Sequence, residues 1–216
     1  MSHLKRQEVP KNWPISRKRT VYVVKPMSKL SNSIPLLIIL RDILKIAQNR
    51  REVKRSLHEN QILVNSKKIK DEKIGLYLFD TLQIIPLKKS YRINLTKTGK
   101  FEAEEINEKE NNFKIAKIID KKVLSGKKTQ INLSDGRNFI SEIKCNVNDS
   151  VLINLKEKKM EKCFLLKENS KVLIFSGKHA GERGIIQKID KTKKMVNLKC
   201  DNSNINVLIK QLIVIE

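Results

Sequence analysis

Apolar residues recur at intervals of three and four positions in residues 34–48, and this spacing predicts an amphipathic helix that ends near Gln48. The positions on its apolar face are Leu36, Leu37, Leu40, Ile43, Leu44 and Ala47. Ser33 is the expected N-cap, and Pro35 lies in the predicted first turn, where proline is tolerated. This helix is expected to pack its apolar face on a core.

A second, shorter helix is predicted from about Arg51 to His58, because Val53 and Leu57 can both face a core. Short β-type segments follow it, with the sequences QILV, KKIK and TLQIIPL, and Asn65–Ser66 marks a turn between the first two. Residues 34–87 are therefore expected to form one compact unit of two helices and a small hairpin sheet.

The remainder of the chain alternates apolar and polar residues as β-strands do. Residues 88–168 contain several short β-type segments, and turn signals such as Asp135–Gly136 separate them. Regular short strands favour a small barrel or sandwich. In residues 169–216 the alternation around Ile185 and Ile205 predicts four or five strands, which indicates a tiny β barrel.

Residues 1–33 lack a persistent apolar period, and Pro10, Pro14 and Pro26 interrupt any helix. Glu8 is the one acid among many basic residues, so this segment is predicted to be an arm that orders on an anionic partner. The predicted fold class is α+β, mostly β. Its parts are an extended basic arm (1–33), a small two-helix plus hairpin unit (34–87), a central small β domain (88–168) and a C-terminal small β barrel (169–216).

The chain carries a large excess of positive charge, with 46 Lys and Arg against 23 Asp and Glu, a formal net charge of +23. Such an excess repels itself unless a polyanion compensates it. The first 55 residues alone hold 14 Lys and Arg against Glu8, Asp42 and Glu52, a net +11. Because a random surface would spread the charge, this concentration indicates a footprint for a polyanion, with nucleic acid, an anionic membrane and acidic protein as candidates.

A membrane and a metal are poorly supported as partners. The longest apolar run, Ile34–Leu40, has seven residues and begins late for a signal peptide, whereas a spanning helix needs about 20 residues. We therefore expect a cytosolic protein. Cys145, Cys163 and Cys200 form no CxxC pair, so they are expected to be reduced core residues, with no metal site and no cofactor.

The loop FSGKHAGERGII, residues 175–186, contains three of the chain's seven glycines together with Lys178, His179 and Arg183. Glycines let a backbone approach a partner closely, and exposed N–H groups beside cationic side chains suit a phosphate backbone. A hairpin that needs glycine for geometry alone is the alternative, and the two interpretations are compatible. A nucleotide-binding loop does not fit, since neither GxxxxGK[ST] nor GxGxxG is present.

The same loop, following a β-strand, resembles the KOW motif, and the chain as a whole resembles the S-four-e family of small-subunit ribosomal proteins of archaea and eukaryotes. The segments HLKR and PKNW resemble the family's N-terminal arm, and PLLIILRDILKIAQNRREVKRSL resembles its S-four-type RNA-binding helices. The segments TKTGKF, GRNF and NDSVLINL resemble its central β region. The resemblance implies a structural protein that binds ribosomal RNA without catalysis, with residues 34–87 as the S-four-type unit and residues 169–216 as a KOW-type barrel.

We therefore expect a structural constituent of the small subunit in the cytoplasmic ribosome. The expected partners are small-subunit ribosomal RNA and neighbouring ribosomal proteins, without membrane association or homo-oligomerisation. Aromatic residues are few, which favours shape and backbone readout over base stacking, and Trp13 either stacks on RNA or docks on the body. The candidate RNA-contacting residues are His3, Lys5, Arg6, Lys11, Trp13, Arg17, Lys18, Arg19, Arg41, Arg50, Arg51, Lys54, Arg55, Lys178, His179 and Arg183.

Two other functions are open at this point. A KOW-containing accessory factor of transcription or translation would bind RNA and protein reversibly. An RNA-modifying enzyme would need a separate catalytic domain with a pocket, yet His3, His58 and His179 are scattered, and no GxSxG or HExxH motif occurs. We therefore expect no enzymatic activity and assign no catalytic residue.

Overall fold

The computed structural model describes residues 3–141, 143–190, 192–200 and 203–215. Its secondary structure is mostly β, with two short α-helices and several antiparallel sheets, which confirms the predicted class. The chain divides into two compact units. Unit 1 contains the residues up to 96 and residues 100–112, and unit 2 contains residues 97–99 and the residues from 113 onward.

Unit 1 holds both α-helices and three small sheets. Its elements are β1 (Leu4–Lys5), β2 (Tyr22–Val23), β3 (Ile34–Pro35), α1 (Leu36–Ile38), α2 (Arg50–His58), β4 (Ile62–Val64), β5 (Lys67–Lys68), β6 (Gly75–Leu76), β7 (Thr81–Ile84), β8 (Lys89–Leu95) and β9 (Phe101–Ile106). The sheets are β1-β2, β3-β6 and the five-stranded β5-β4-β7-β8-β9.

The first helix is shorter than predicted. After α1 the chain continues as one π-helical turn over Ile39–Ile43, and Lys45 takes a left-handed φ of +54°, so the helix does not reach Gln48. The amides of Ile46 and Ala47 both donate to the carbonyl of Leu40, which folds the apolar end of the segment back toward the core. Ala47 is buried there without being helical.

The start of α1 also differs from the prediction. The N-cap position is Pro35 rather than Ser33, whose hydroxyl donates to the carbonyl of Lys29. The first amides of α1 donate to backbone carbonyls of a neighbouring segment, Leu36 to Ile74 at 2.9 Å and Leu37 to Glu72 at 3.1 Å. These bonds satisfy two of the amides that have no partner within the helix, in place of a side-chain cap.

The second helix and its hairpin agree with the prediction. The Asn49 side chain caps α2 by accepting from the amides of Arg51 and Glu52, at 2.9 and 3.1 Å. Val53 and Leu57 are buried on its inner face. The turn at Asn65–Ser66 joins β4 to β5, and both of its residues have a positive φ, as a tight two-residue hairpin requires.

The predicted boundary at residues 87–88 falls inside a sheet. β7 pairs with β8 from Thr81↔Arg92 to Ile84↔Lys89, and β8 pairs with β9. The apolar residues Tyr91, Ile93 and Leu95 of β8 are buried. Because these strands share one sheet with β4, the compact unit extends to residue 112.

The N-terminal segment folds back on itself over part of its length. β1 pairs with β2 through Leu4↔Val23 and Lys5↔Tyr22, with a 3₁₀ turn at Arg6–Glu8 between them. Leu4 is buried. The segment therefore differs from a fully extended arm.

Unit 2 contains two five-stranded antiparallel sheets. The strands are β10 (Phe113–Val123), β11 (Thr129–Leu133), β12 (Asn138–Ile140), β13 (Ser150–Asn154), β14 (Lys159–Phe164), β15 (Lys171–Ile174), β16 (Arg183–Asp190), β17 (Met195–Cys200), β18 (Asn204–Leu208) and β19 (Leu212–Val214). Their orders are β12-β11-β10-β13-β14 and β18-β17-β16-β15-β19, and each sheet covers its own apolar core.

Polar bonds tie the two sheets of unit 2 together. The buried ammonium of Lys117 on β10 donates to the carbonyls of Ile209 and Leu212, the latter at 2.7 Å. The amide of Val214 on β19 donates to Ser150 Oγ at 2.9 Å. The regions predicted as separate domains, 88–168 and 169–216, therefore share hydrogen bonds through buried groups.

Candidate nucleic-acid interface

The outer face of α2 displays cations on a rigid support. Arg51, Lys54 and Arg55 are exposed, while Val53 and Leu57 hold the opposite face in the core. Three- and four-residue spacing places these cations on one side of the helix. The structure thus places three of the candidate RNA-contacting residues, Arg51, Lys54 and Arg55, together on one exposed face.

Glu72 orders the side chains of Arg50 and Lys54 at the edge of this face. Its carboxylate is almost fully buried and accepts from Arg50 Nε at 2.8 Å, and Lys54 Nζ lies 4.0 Å from the same oxygen. The outer parts of both cations remain about half exposed. A buried carboxylate therefore fixes the direction of cations whose outer surfaces remain available to a phosphate.

Two more cations of this face differ in their surroundings. Arg55 Nε donates to Glu59 Oε1 at 2.9 Å, an exposed i,i+4 pair that contributes little to stability and can be exchanged for a phosphate. Within the described residues, the Arg51 side chain has no carboxylate or carbonyl partner. Arg51 is thus the guanidinium on α2 that is most available to a ligand.

Arg6 shapes the N-terminal segment from within. Its guanidinium donates to the carbonyls of Ser16 and Thr20, at 2.7 and 2.6 Å, and to the hydroxyl of Thr20 at 2.8 Å. These three bonds fix the loop of residues 16–20. The exposed cations of that loop are Arg17, Lys18 and Arg19. Arg6 therefore holds the loop that carries the exposed cations, and its own guanidinium has little capacity left to bind a phosphate.

A cleft of about 160 Å³ in unit 1 is lined by three arginine residues. Arg6, Arg19 and Arg41 line it with Asp42, whose carboxylate accepts from Arg41 at 2.7 Å. The sequence predicted these arginines separately, and the fold places them on one surface. An anionic group entering this cleft would meet more positive than negative charge.

Trp13 lies in the interior. Its indole is 3% exposed, and its Nε1 donates to the carbonyl of Ser33 at 2.9 Å. Of the two alternatives for Trp13, docking on the protein body is therefore the arrangement seen in the structure. His3, Lys5 and Lys11 from the same segment are exposed, and the His3 ring contacts Tyr22.

The glycine loop owes its glycines to geometry. Gly177 and Gly181 have φ of +99° and +94°, which disfavours any other residue. A Cβ on Gly184, inside β16, would approach Cys200 Sγ to 2.9 Å. The loop nevertheless displays cations, since Lys178 and Arg183 are exposed. His179 differs, because its Nδ1 lies 3.1 Å from Glu182 Oε1.

Another basic group was missed by the sequence reading. Lys121, Lys122 and Lys128 lie near the turn of the β10–β11 hairpin. The signal was present as the sequence KKVLSGKK, where two lysine pairs surround a Ser–Gly turn.

Two absences belong to the description of the residues that the structure covers. Across residues 3–141, 143–190, 192–200 and 203–215, no helix is long and apolar enough to cross a membrane. Over the same ranges, no group of three or more His, Cys, Asp or Glu side chains is close enough to hold a metal ion. Cys145, Cys163 and Cys200 form no disulfide with one another.

Known proteins of one kind are similar to this chain in sequence and in fold. The model of Ribosomal family S4e matches residues 87–160, and that of the RS4NT (NUC023) domain matches residues 2–28. Small ribosomal subunit protein eS4 of Methanocella arvoryzae is 37% identical over 191 residues, which cover 87% of this chain and 81% of the relative. Its counterpart in Nanoarchaeum equitans is 35% identical over 194 residues, covering 88% of this chain and 83% of the relative.

The fold comparison agrees with the sequence comparison. The crystal structure of the 30S ribosomal protein S4e from Thermoplasma acidophilum matches with a TM-score of 0.74 at 24% identity, covering 86% of this chain and 95% of that one. Fold and sequence together define the class, a mostly β ribosomal protein. Within that class, the chain belongs to the ribosomal protein S4e family, as the resemblance in its motifs predicted.

Proposed function

We propose that this protein is a structural constituent of the small ribosomal subunit, where it binds and stabilises folded ribosomal RNA in the cytoplasm. The observation that carries the proposal is the outer face of α2, where Arg51, Lys54 and Arg55 are exposed on a helix that the core holds in place. The family relationship supports a structural role rather than an enzymatic one.

The α2 face is suited to grip phosphates. Guanidinium groups bind phosphate oxygens through two parallel hydrogen bonds and stay charged at any physiological pH. Glu72 directs Arg50 and Lys54 toward one side, so part of the ordering of these side chains is complete before RNA binds. Neutralised phosphates release counterions, which makes the affinity strongly dependent on salt.

The N-terminal segment supplies a second group of contacts in unit 1. Arg17, Lys18 and Arg19 project from a loop that Arg6 holds closed, and the cleft between Arg19 and Arg41 offers a place for one phosphate. Contacts of this kind fix register and orientation on RNA without reading bases. We therefore propose recognition of RNA shape and backbone.

The glycine loop of unit 2 is proposed as a KOW-type contact. Lys178 and Arg183 are its exposed cations, and the positive φ of Gly177 and Gly181 keeps the backbone turn tight. His179 is held by Glu182, so it is a weaker candidate than its two neighbours.

Neighbouring ribosomal proteins are proposed as further partners. Val21, Tyr22 and Met27 leave apolar surface exposed in the N-terminal segment, with Met27 73% exposed. Apolar surface of this kind is suited to contact with another protein. We expect the protein to act as one copy rather than as a homo-oligomer.

The direct test reverses the charge of the α2 face in the full chain. R51E/K54E/R55E should weaken binding to in vitro transcribed small-subunit ribosomal RNA by several decades at low salt and flatten its salt dependence, because about three phosphate contacts are lost. The matched control is K156E/K158E/K159E, which changes the same charge at exposed positions of the β13–β14 turn. Unchanged affinity of the α2 variant, with its fold intact by circular dichroism, would overturn the proposal for this face.

A further inference from the structure

The β10–β11 hairpin extends beyond the other strands of its sheet. Among the described residues, β13 pairs with β10 only over Phe113–Lys117, whereas β11 pairs with β10 as far as Val123↔Thr129. On the other side, β12 pairs with β11 over Gln130–Asn132. Residues 121–129, which we call the hairpin tip, therefore have no described strand beside them on the β10 side. On the β11 side, β12 reaches Gln130, the partner of Lys122, and the amide of Ser141 donates to the carbonyl of Thr129 at 3.1 Å.

The end of the hairpin tip is open to its surroundings. Gly126 has a φ of +75°, and a Cβ built there would meet no atom within 4 Å. Glycine at position 126 is thus required by the backbone conformation of the turn and not by close packing. By contrast, a Cβ on Gly99, in the β8–β9 turn, would approach the carbonyl oxygen of Ala180 to 2.9 Å. The end of the hairpin tip is therefore uncovered, whereas the β8–β9 turn is covered by Ala180.

The hairpin tip concentrates positive charge. Its lysines are Lys121, Lys122, Lys127 and Lys128. The neighbouring acid, Asp120, accepts at 2.8 Å from the backbone amide of Lys121 rather than from a lysine side chain. In the part of the chain that the structure describes, Lys121, Lys122 and Lys128 have no carboxylate within ion-pair distance.

An apolar side chain accompanies these cations. Val123 is 73% exposed at the last pair of the ladder, where it adds nothing to the core of the sheet. A narrow ribbon with lysines on it and one apolar residue suits the wide, shallow groove of folded RNA, where phosphates flank sugars and base edges. Four lysines in eight consecutive positions favour a polyanion over a protein surface as the occupant.

We propose that the hairpin tip is a further ribosomal-RNA contact, separate from the α2 face, the N-terminal segment and the glycine loop, in which Lys121, Lys122 and Lys128 bind phosphates and Val123 lies against the sugar edge of the groove. The proposal rests on the proposed function, since it assumes that the protein binds folded RNA. It adds to unit 2 a contact made by lysines alone, on a different sheet from the one that carries the glycine loop.

The test measures the affinity of the full chain for in vitro transcribed small-subunit ribosomal RNA as a function of salt. K121E/K122E/K128E should bind about tenfold or more weakly near 0.1 M salt, and its log–log salt slope should fall in magnitude by about 2 to 3, because about three counterion-releasing contacts are lost. K156E/K158E/K159E, at the turn at the opposite end of the same sheet, should keep both the affinity and the slope of the wild type. Circular dichroism and thermal unfolding verify the fold of each variant.

The outcomes separate this inference from the proposed function. If the tip variant binds like the control while R51E/K54E/R55E fails to bind, the tip contact is wrong and the proposed function stands. If the wild-type chain itself does not bind the RNA, both are wrong. If the tip variant binds RNA normally but no longer assembles into small subunits, the tip contacts a protein, and the inference is also overturned.

Discussion

The α2 face and the hairpin tip carry similar charge, but they are built differently. On α2, Glu72 holds Arg50 at 2.8 Å and Glu59 holds Arg55 at 2.9 Å. At the tip, the described lysines have no such partners. Ordering a free lysine on binding costs up to about 2 kcal/mol of rotamer freedom, and a held side chain has already lost part of it. The α2 face is therefore suited to orient the protein on RNA, and the tip to add affinity without fixing orientation.

The comparison assumes that unit 1 is rigid, and Trp13→Ala is the substitution expected to affect that rigidity most. It removes a buried indole and its hydrogen bond to Ser33, so the free energy of unfolding should fall by about 3–5 kcal/mol. Urea unfolding of the protein without RNA measures this loss. Tyr22→Ala, at an exposed aromatic residue of the same segment, should cost less than about 1 kcal/mol.

The opposite result for Trp13 is equally informative. Unchanged stability together with weakened RNA binding would mean that the indole stacks on RNA and does not hold the segment to the body.

Lys117 tests whether a cation of unit 2 can act on stability alone. Burial lowers the pKa of Lys117 to about 8, whereas the unfolded chain keeps the ordinary value of 10.5. Between these values the unfolded state binds more protons, so the free energy of unfolding should rise with pH across this window, by up to about 3 kcal/mol. Below pH 8 Lys117 is charged in both states, so the burial of its charge lowers the free energy of unfolding by the full amount.

Lys117→Met should remove this rise, and urea unfolding at several pH values measures it as the difference between variant and wild type. Affinity for RNA at neutral pH should be retained, because Lys117 is buried and bonds to backbone carbonyls. An identical pH dependence in variant and wild type would show that Lys117 is not the group that titrates.

The smallest expected effect, and the one that addresses the comparison itself, comes from Glu72→Gln. The substitution removes one negative charge, so the net charge rises by one, yet the variant loses the carboxylate that directs Arg50 and Lys54. Affinity for folded ribosomal RNA should fall by roughly two- to fivefold, while affinity for an unstructured RNA of equal length should rise slightly. Filter binding with both RNAs measures the ratio. A rise for both RNAs would show that charge, and not side-chain order, governs the α2 face.

The sequence was sufficient where local pattern decides structure. Val53 and Leu57 have helical spacing and no competing signal, and α2 lies where they indicate. The end of the first helix could not be read in this way, because a π-helical turn and a left-handed Lys45 bring Ala47 to the core by another route. Helical spacing cannot distinguish a continued helix from a chain that folds back on the same core.

Long-range contacts explain the remaining differences at the candidate site. Glu72 lies 22 residues from Arg50, so its role in orienting the α2 face has no local signature. Trp13 finds its acceptor 20 residues away at Ser33. Arg6 bonds to residues 10 and 14 positions ahead, which turns a predicted RNA contact into a structural one. The cations could be predicted from the sequence, and their partners could not.

The central claim is that the positively charged surface of the protein binds folded ribosomal RNA and so holds the protein in the small subunit. The most direct test adds the full chain to small ribosomal subunits that lack it and follows it through a sucrose gradient after a wash at moderate salt. The account predicts that it sediments with the subunit at about one copy each, and that R51E/K54E/R55E stays at the top of the gradient. A wild-type chain that washes off would contradict it.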